Sequence, residues 1–298
     1  MKIAKIIRSE DYIKFLSLYN KLFQDNVLDL KSFNQLFFCC LKQQETVCYL
    51  AFIDNNPVGL IAGTIDVKDK SIYIHFIGVL SNFRQKGVAT QLLNKFLLKS
   101  FTIYFSGCPQ GYLFPGLDEK KYPEGALFFK KKGFSEIRRV YSMKLDLASF
   151  DILDYSNFIG NRDYNIVSFE DSYFPDLMSI CFVCNHPEWK EVLIKAYYSE
   201  KIRKFVKLAI KDGQVLGFAC FGVVGNDIKR FGPIAVSPEF RKKKIGLNLT
   251  LSVLKNQKEL GCRESYFLWV EKDSVALSMY KKIGFDIFSD MSVREFMV

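Results

Sequence analysis

The six residues Arg84-Gln85-Lys86-Gly87-Val88-Ala89 have the types and spacing to hold a phosphate. They follow an apolar run, Phe76 to Leu80, that reads as a buried strand. After them Val88, Leu92, Leu93 and Phe96 recur at helical spacing. A turn between strand and helix leaves several backbone N–H groups unpaired at the positive end of the helix, where an anion is favoured. Gly87 allows close backbone approach or a positive φ, and the small Ala89 lets a ligand lie against the helix start. The same order of elements also occurs as an ordinary connection, so its meaning depends on the rest of the chain.

Other residues with chemical potential are fewer. Cys181-Phe-Val-Cys184 is a single Cys-x-x-Cys close to His186, whereas a structural zinc site normally needs a second such pair. No metal is expected. The other cysteines named by the pattern, Cys39, Cys40, Cys48 and Cys220, sit in apolar segments and read as small hydrophobes. The formal charge of +10 points to an anionic partner: a nucleotide cofactor, a nucleic acid or an acidic surface. No sustained basic run accompanies it, so a positively charged ligand cleft suits it at least as well as a nucleic-acid track. The lysine triplets 130–132 and 242–244 read as solvated, the second lying at a possible ligand turn. Hydrophobic content of 49% with 25% charged residues excludes a disordered chain. The N-terminus has no secretory apolar region and no apolar run approaches a membrane span, so a soluble, cytoplasmic protein without a membrane partner is expected.

The elements that would position the turn come twice. A length of 298 residues suggests two domains of about 150 residues each. Residues 10–43 carry the apolar spacing of two amphipathic helices. Strands at 47–53 and from Val58 flank the turn Asp54-Asn55-Asn56-Pro57, a hairpin signal. A third strand, 71–80, leads into the phosphate turn, and the helix after it is expected to reach about Ser100. Then come a strand at 101–107, a loop rich in Gly, Pro and Tyr, a helix ending at Gly133, and a final strand. Residues 146–163 lose this periodicity. Taking 148–163 as a linker divides the chain into domains 1–147 and 164–298. Beyond it a hairpin around Asp212-Gly213, a strand-turn-helix at 231–251 and a Gly284-Phe285 ending follow in the same order. Val79 and Arg84 recur as Val236 and Arg241, and Gly133-Phe134 recurs as Gly284-Phe285, so the chain reads as a whole-domain duplication.

With the repeat in view, the chain resembles a tandem, two-domain bacterial member of the GNAT superfamily of acyl-CoA N-acyltransferases. Arg84, Gly87 and Ala89 match that family's turn Gln/Arg-x-x-Gly-x-Gly/Ala, and Val79 matches its lead-in. Asp273, Ala276, Tyr280, Gly284 and Phe285 approach a later family segment, and the loop from Tyr112 to Asp118 is similar to a bacterial group of two-domain acetyltransferases. The resemblance implies an α/β (α+β) fold of two tandem domains, each a mixed, mostly antiparallel sheet flanked by helices. It also implies acetyl-CoA as co-substrate and a small-molecule amine as acceptor. Val79, Leu80, Arg84, Gln85, Lys86, Gly87, Val88, Ala89 and Thr90 would bind acyl-CoA, with N–H groups on the pyrophosphate and the strand end beside the pantetheine.

The halves depart from the family pattern in opposite ways. The first keeps the turn but has Phe129 where the family often has a Tyr that can protonate the leaving thiolate. The second keeps Tyr280 there, but Lys244 replaces the turn's first Gly. Its Cβ is expected to block the pyrophosphate or to demand an unfavourable positive φ, so the first half is expected to bind acyl-CoA. Direct transfer needs an amine that loses a proton and a thiolate that is stabilised. Candidate catalytic groups are His75, on the strand before the turn, Glu271 at a strand end, Tyr280, and Tyr112 in the loop. Each also has a plain structural reading: core or edge histidine, exposed carboxylate, core tyrosine, loop residue. Two other functions share the fold: a binding protein or scaffold without turnover, and a transferase using aminoacyl-tRNA. The intact CoA-type turn argues against the second of these, and no nucleic-acid partner is expected.

Overall fold

The computed structural model describes residues 1–37, 44–105, 114–151, 163–224 and 227–297, the side chains of 35–37 excepted. The chain forms two compact units, Met1–Val140 with Ser289–Val298, and Tyr141–Phe288. In the first, β1 (Lys2–Lys5), β2 (Gln44–Ile53), β3 (Asn56–Asp66), β4 (Ser71–Val79) and β5 (Thr102–Phe105) pair in chain order. The pairs are antiparallel except β4 with β5, which run parallel over 71–74 and 102–105. The β2–β3 turn forms because Asp54 and Asn55 accept positive φ (48° and 59°), the requirement of a hairpin turn that matches strand twist.

Alternation along these strands gives each sheet face its own core. Helices α1 (Ser9–Leu22) and α2 (Leu30–Phe37) bring Phe15, Tyr19 and Phe33 onto Leu50, Leu60 and Phe76. Helices α3 (Val88–Asn94) and α4 (Pro123–Lys131) bring Val88, Leu92 and Phe129 onto Ile61, Ile74 and Ile103. Helix α3 ends before the residue expected of it. Lys95 and Phe96 already donate to carbonyls three residues back, and the fully buried Phe96 ring is packed edge-on to Tyr49. Ser100, at φ 68°, then turns the chain toward β5.

The first unit is completed by the end of the chain. Strand β6 (Ser135–Asp146) begins in this unit, and β12 (Asp286–Met297) finishes in it, where Arg294 to Met297 pair antiparallel with Phe105 to Thr102. Phe296 stacks on Phe134 at 5.3 Å between ring centroids. Leu117 and Ser292 exchange two backbone hydrogen bonds of 2.9 Å, tying the loop before α4 to the same strand.

The second unit repeats the plan. Strands β7 (Asn165–Ser168), β8 (Val206–Lys211), β9 (Gln214–Phe221) and β10 (Phe231–Val236) form an antiparallel sheet in the order β10-β9-β8-β7. The β8–β9 turn uses Asp212 and Gly213 at φ 49° and 80°, the counterpart of Asp54-Asn55. Helices α5 (Phe174–Val183), α6 (Trp189–Tyr198) and the short α7 (Glu200–Arg203) cover one face through Leu177, Leu193 and Phe218. Helices α8 (Ile245–Glu259) and α9 (Val275–Ile283) pack with β11 (Glu264–Glu271) through Leu249, Phe267 and Tyr280. The second half of β6 lies beside β11, with Ser142 Oγ donating to Leu268 O at 3.0 Å.

A single cut at 148–163 would leave the last strand with the second half. The compact units instead change over at Val140 and return Ser289–Val298 to the first. A strand's partner is chosen by ladder pairing and burial across the sheet, which local periodicity does not encode. Most of the expected linker, 152–162, lies outside the described residues.

Candidate functional site

Val79 ends β4 as a buried residue, and one 3₁₀ turn, Ser81–Phe83, follows. Arg84 then folds back, its Nε donating to Val79 O at 3.2 Å, so the side chain braces the turn that it starts. Gln85 (φ 59°) and Gly87 (φ 78°, ψ 0°) are left-handed, and Gly87 caps α3. Residues 84–87 are exposed while Val88 is buried, so the turn stands in solvent on a packed foundation. Gln91 makes the first intrahelical bond, to Gly87 O at 3.1 Å. The N–H groups of Val88, Ala89 and Thr90 therefore precede the helix ladder and donate no backbone hydrogen bond among the described residues. Lys86 Nζ lies 5.4 Å from the centroid of the Phe83 ring. The turn has the form of an anion cradle, and among the described residues a Cβ built on Gly87 would meet no atom within 4 Å apart from its chain neighbours.

The second half reproduces the turn in detail. Arg241 Nε donates to Val236 O at 3.2 Å, Lys243 Nζ lies 5.4 Å from the Phe240 ring, and Asn248 N donates to Lys244 O at 3.0 Å. Lys242 and Lys244 occupy the two left-handed positions at φ 65° and 58°. The expected obstacle at Lys244 is thus half met. The residue does adopt the positive φ, so the backbone keeps its shape, and what differs from the first half is the side chain.

The helix that precedes each Gly-Phe ending is matched too. Phe134 N donates to Phe129 O and Phe285 N to Tyr280 O, both at 3.0 Å, after Gly133 and Gly284 at φ 85° and 100°. Phe129 packs between Phe105 and Phe134, at 4.3 and 5.0 Å, as Tyr280 does between Phe267 and Phe285, at 4.4 and 5.6 Å.

A model of the acetyltransferase (GNAT) family matches residues 12–109 and 169–285, more than half of the chain and one segment in each half. The chain belongs to this family. Solved structures show the same GNAT fold at low identity. The glucosamine N-acetyltransferase region of a fungal multi-domain GH3 β-N-acetylglucosaminidase aligns with a TM-score of 0.83 and 18% identity, over 99% of this chain and 38% of that one. A tandem GNAT protein of clavulanic acid biosynthesis gives 0.70 and 13% over 99% and 98% of the two chains. A GCN5-related N-acetyltransferase of Sphaerobacter thermophilus gives 0.68 and 13% over 99% and 95%. No curated protein sequence matches this chain. GNAT enzymes generally use acetyl-CoA, and the tandem architecture is common to this chain and its structural neighbours.

The catalytic candidates are scattered. His75 is the extra residue of a bulge in β4, 2% exposed, with Nε2 2.8 Å from Thr64 Oγ1, which is itself 3.0 Å from Thr46 Oγ1. Burial pushes the imidazole down to about 3. It is neutral and enclosed, and we set it aside as a base. Tyr280 is 5% exposed within its ring cluster, and burial raises its hydroxyl well above the usual tyrosine range. A Tyr there keeps its proton, as a thiolate's acid must, but it is enclosed. Glu271 is exposed at the end of β11, its carbonyl accepting from Ser274 N and Oγ. Tyr112 lies outside the described residues.

One contact at the turn was not legible from sequence. Glu124, at the start of α4, accepts from Arg84 at 2.7 Å across 40 residues. The pair is exposed and adds little stability, but it fixes the second end of the guanidinium. Cys181 and Cys184 show the reverse. The Cys181 thiol is buried in the core and raised to about 12, Cys184 Sγ donates to Val236 O at 3.5 Å, and the His186 ring stacks on Trp189 at 3.9 Å. Among the described residues no group of His, Cys, Asp or Glu is placed to hold a metal, and no helix is long and apolar enough to cross a membrane.

The histidine gives a pH test. A base whose folded value falls below about 6.5 stabilises the protein fully above that pH and progressively less as pH drops toward the folded value. For His75 the loss between pH 6.5 and 3 is on the order of 4 kcal/mol. Urea midpoints of the wild type should fall across this range more steeply than those of His75→Gln; equal slopes would mean that His75 is solvated.

Proposed function

We propose that the protein is an acetyl-CoA-dependent N-acetyltransferase that acetylates a primary amine of a small molecule, with acyl-CoA held by the first half. One observation carries the choice of half. Two turns of the same backbone shape differ at Gly87 and Lys244, and the space over Gly87 is open. The residues fit a CoA diphosphate: free N–H groups at 88–90, the flanking cation Lys86, and a cradle that a side chain at 87 would fill. In this reading Val79, the last residue of β4, and Leu80 after it would run beside the pantetheine amides.

In the reaction the acceptor nitrogen attacks the thioester carbonyl. A C–N bond forms, the C–S bond breaks, the ammonium proton leaves to a base or to water, and the thiolate takes up a proton. Phe129 cannot supply that proton in the first half. Tyr112, of the first half and outside the described residues, remains the proposed proton-transfer group there, whereas Glu271 belongs to the second unit. The glucosamine transferase among the structural neighbours makes aminosugars a rational part of the acceptor screen. The test is release of free thiol from acetyl-CoA over a panel of amines and aminosugars. We expect acceptor-dependent thiol release and thermal stabilisation by acetyl-CoA. Stabilisation without thiol release would favour a non-catalytic binding protein, and no stabilisation by any acyl-CoA would end the reading.

A further inference from the structure

A first half that transfers an acyl group has to protonate a departing thiolate, and Phe129 has no O–H for it. Most tyrosines of the first unit are badly placed for that task. Tyr19 is fully enclosed, Tyr12 packs on Phe33 of α2, and Tyr49 packs on Phe96. Tyr73 and Tyr104 stack on each other at 5.3 Å near the start of β4, about 20 Å along the strand from Val79.

Tyr122 is placed differently. It is the half-buried residue before α4, and it packs against both cores of the unit: the one that contains Val79 and the one that Leu80 joins. Phe23 links it to β4 on the α1 side. A Cβ on Gly78 would come within 3.3 Å of the Phe23 ring, and that ring meets Tyr122 edge-on at 6.3 Å between centroids. On the other side Glu124, two residues after Tyr122, holds Arg84 of the phosphate turn at 2.7 Å. Tyr122 is thus fixed from two directions around the end of β4, where the acyl-CoA reading runs the pantetheine.

Its neighbours suit a proton donor. Lys121 Nζ lies 5.6 Å from the centroid of the Tyr122 ring and pairs with Asp25. Asp25 raises the ammonium above the usual lysine value, and Tyr122 is close enough to add to that rise. A held cation beside a phenol favours the phenolate that remains once the proton is given.

We propose that Tyr122 is a catalytic residue of the first half, its hydroxyl giving the proton that the departing CoA thiolate takes up, with Lys121 positioned to stabilise the phenolate. This rests on the reading that the first half holds acyl-CoA. As the acceptor nitrogen bonds to the carbonyl carbon, the C–S bond breaks, its electron pair stays on sulfur, and the Tyr122 proton moves to it. The phenolate is reprotonated from water, which also takes up the ammonium proton of the acceptor.

The thiol of bound CoA is the probe. Its thiolate absorbance is titrated on the full chain as the difference between protein with and without CoA, and calorimetry measures CoA binding separately. A hydrogen bond from Tyr122 stabilises the thiolate, so Tyr122→Phe, which keeps the ring, should raise the midpoint of the bound thiol by about one pH unit or more. Lys121→Met should raise it by less, and Tyr112→Phe should leave it in place. With an acceptor in hand, kcat for thiol release should fall at least about ten-fold in Tyr122→Phe, with KM for acetyl-CoA little changed. A wild type that binds no CoA would end the acyl-CoA reading and this assignment with it. Bound CoA with the same midpoint in the wild type and Tyr122→Phe would overturn the assignment alone. So would an unchanged kcat, or a shift in Tyr112→Phe with none in Tyr122→Phe. If Tyr122→Phe fails to fold, Lys121→Met decides, and an unchanged midpoint there overturns the proposal.

Discussion

Gly87→Lys should remove acetyl-CoA binding and leave the protein folded. The fold tolerates the change because the second half already contains it: Lys244 sits at the same place, at φ 58°, at the head of an intact helix. The conformational cost of a side chain in the left-handed region is about 1–2 kcal/mol, which lowers the melting temperature without unfolding the domain. Among the described residues, its chain neighbours aside, nothing stands within 4 Å of the new Cβ, so the fold has room for it and the expected loss is of ligand binding. Calorimetry should show acetyl-CoA affinity reduced at least about 100-fold, equivalent to roughly 2.7 kcal/mol. Gly87→Ala should fall between. Lys244→Gly should bind acetyl-CoA as the wild type does and be slightly more stable, because glycine relieves the strain at a positive φ. Undiminished affinity in Gly87→Lys would move the acyl-CoA site to the second half.

That experiment is possible because the duplication is legible at the level of single residues. The hairpin turns at Asp54-Asn55 and Asp212-Gly213, the Arg84 and Arg241 braces, and the Gly-Phe endings all follow from local rules of φ and capping, and short motifs report such rules well. Three other features escaped for one reason, which is that they are not local. His75 looks like any strand histidine until the bulge in β4 and the Thr64 hydroxyl enclose it. Arg84 finds Glu124 only when α4 docks. Lys244 reads as a block because propensity disfavours a left-handed lysine, yet the brace from Arg241 and the buried Ile245 hold the turn around it. The strand that completes the first unit is the largest feature of this non-local kind.

Deleting Ser289–Val298 should unfold the first unit and so abolish acetyl-CoA binding, although no residue of the phosphate turn is removed. The deletion takes away one of the two strands paired with β5 over Thr102–Phe105, the Phe296 ring stacked on Phe134, and the buried side chains of Met291 and Val293. Burying a side chain of that size contributes about 1.5–3 kcal/mol, so these losses together approach the 5–15 kcal/mol that holds a whole domain. They also leave charges behind. Glu119 accepts from Arg294 and, at 2.8 Å, from Ser292 Oγ, and the Arg294 guanidinium holds its carboxyl below the usual carboxylate range. Arg139, which lies 3.6 Å from Glu119, would also lose Asp290. A milder variant separates the ion pair from the strand: Arg294→Met keeps the ladder and the bulk but strips Glu119 of its nearest cation, at an expected cost of about 2–3 kcal/mol for a partly exposed pair. Limited proteolysis and urea unfolding of both variants supply the readout. Cleavage confined to Met1–Val140 in the deletion, and an intact but less stable first unit in Arg294→Met, are the expected results. A deletion that still binds acetyl-CoA would show that the first unit needs no strand from the end of the chain.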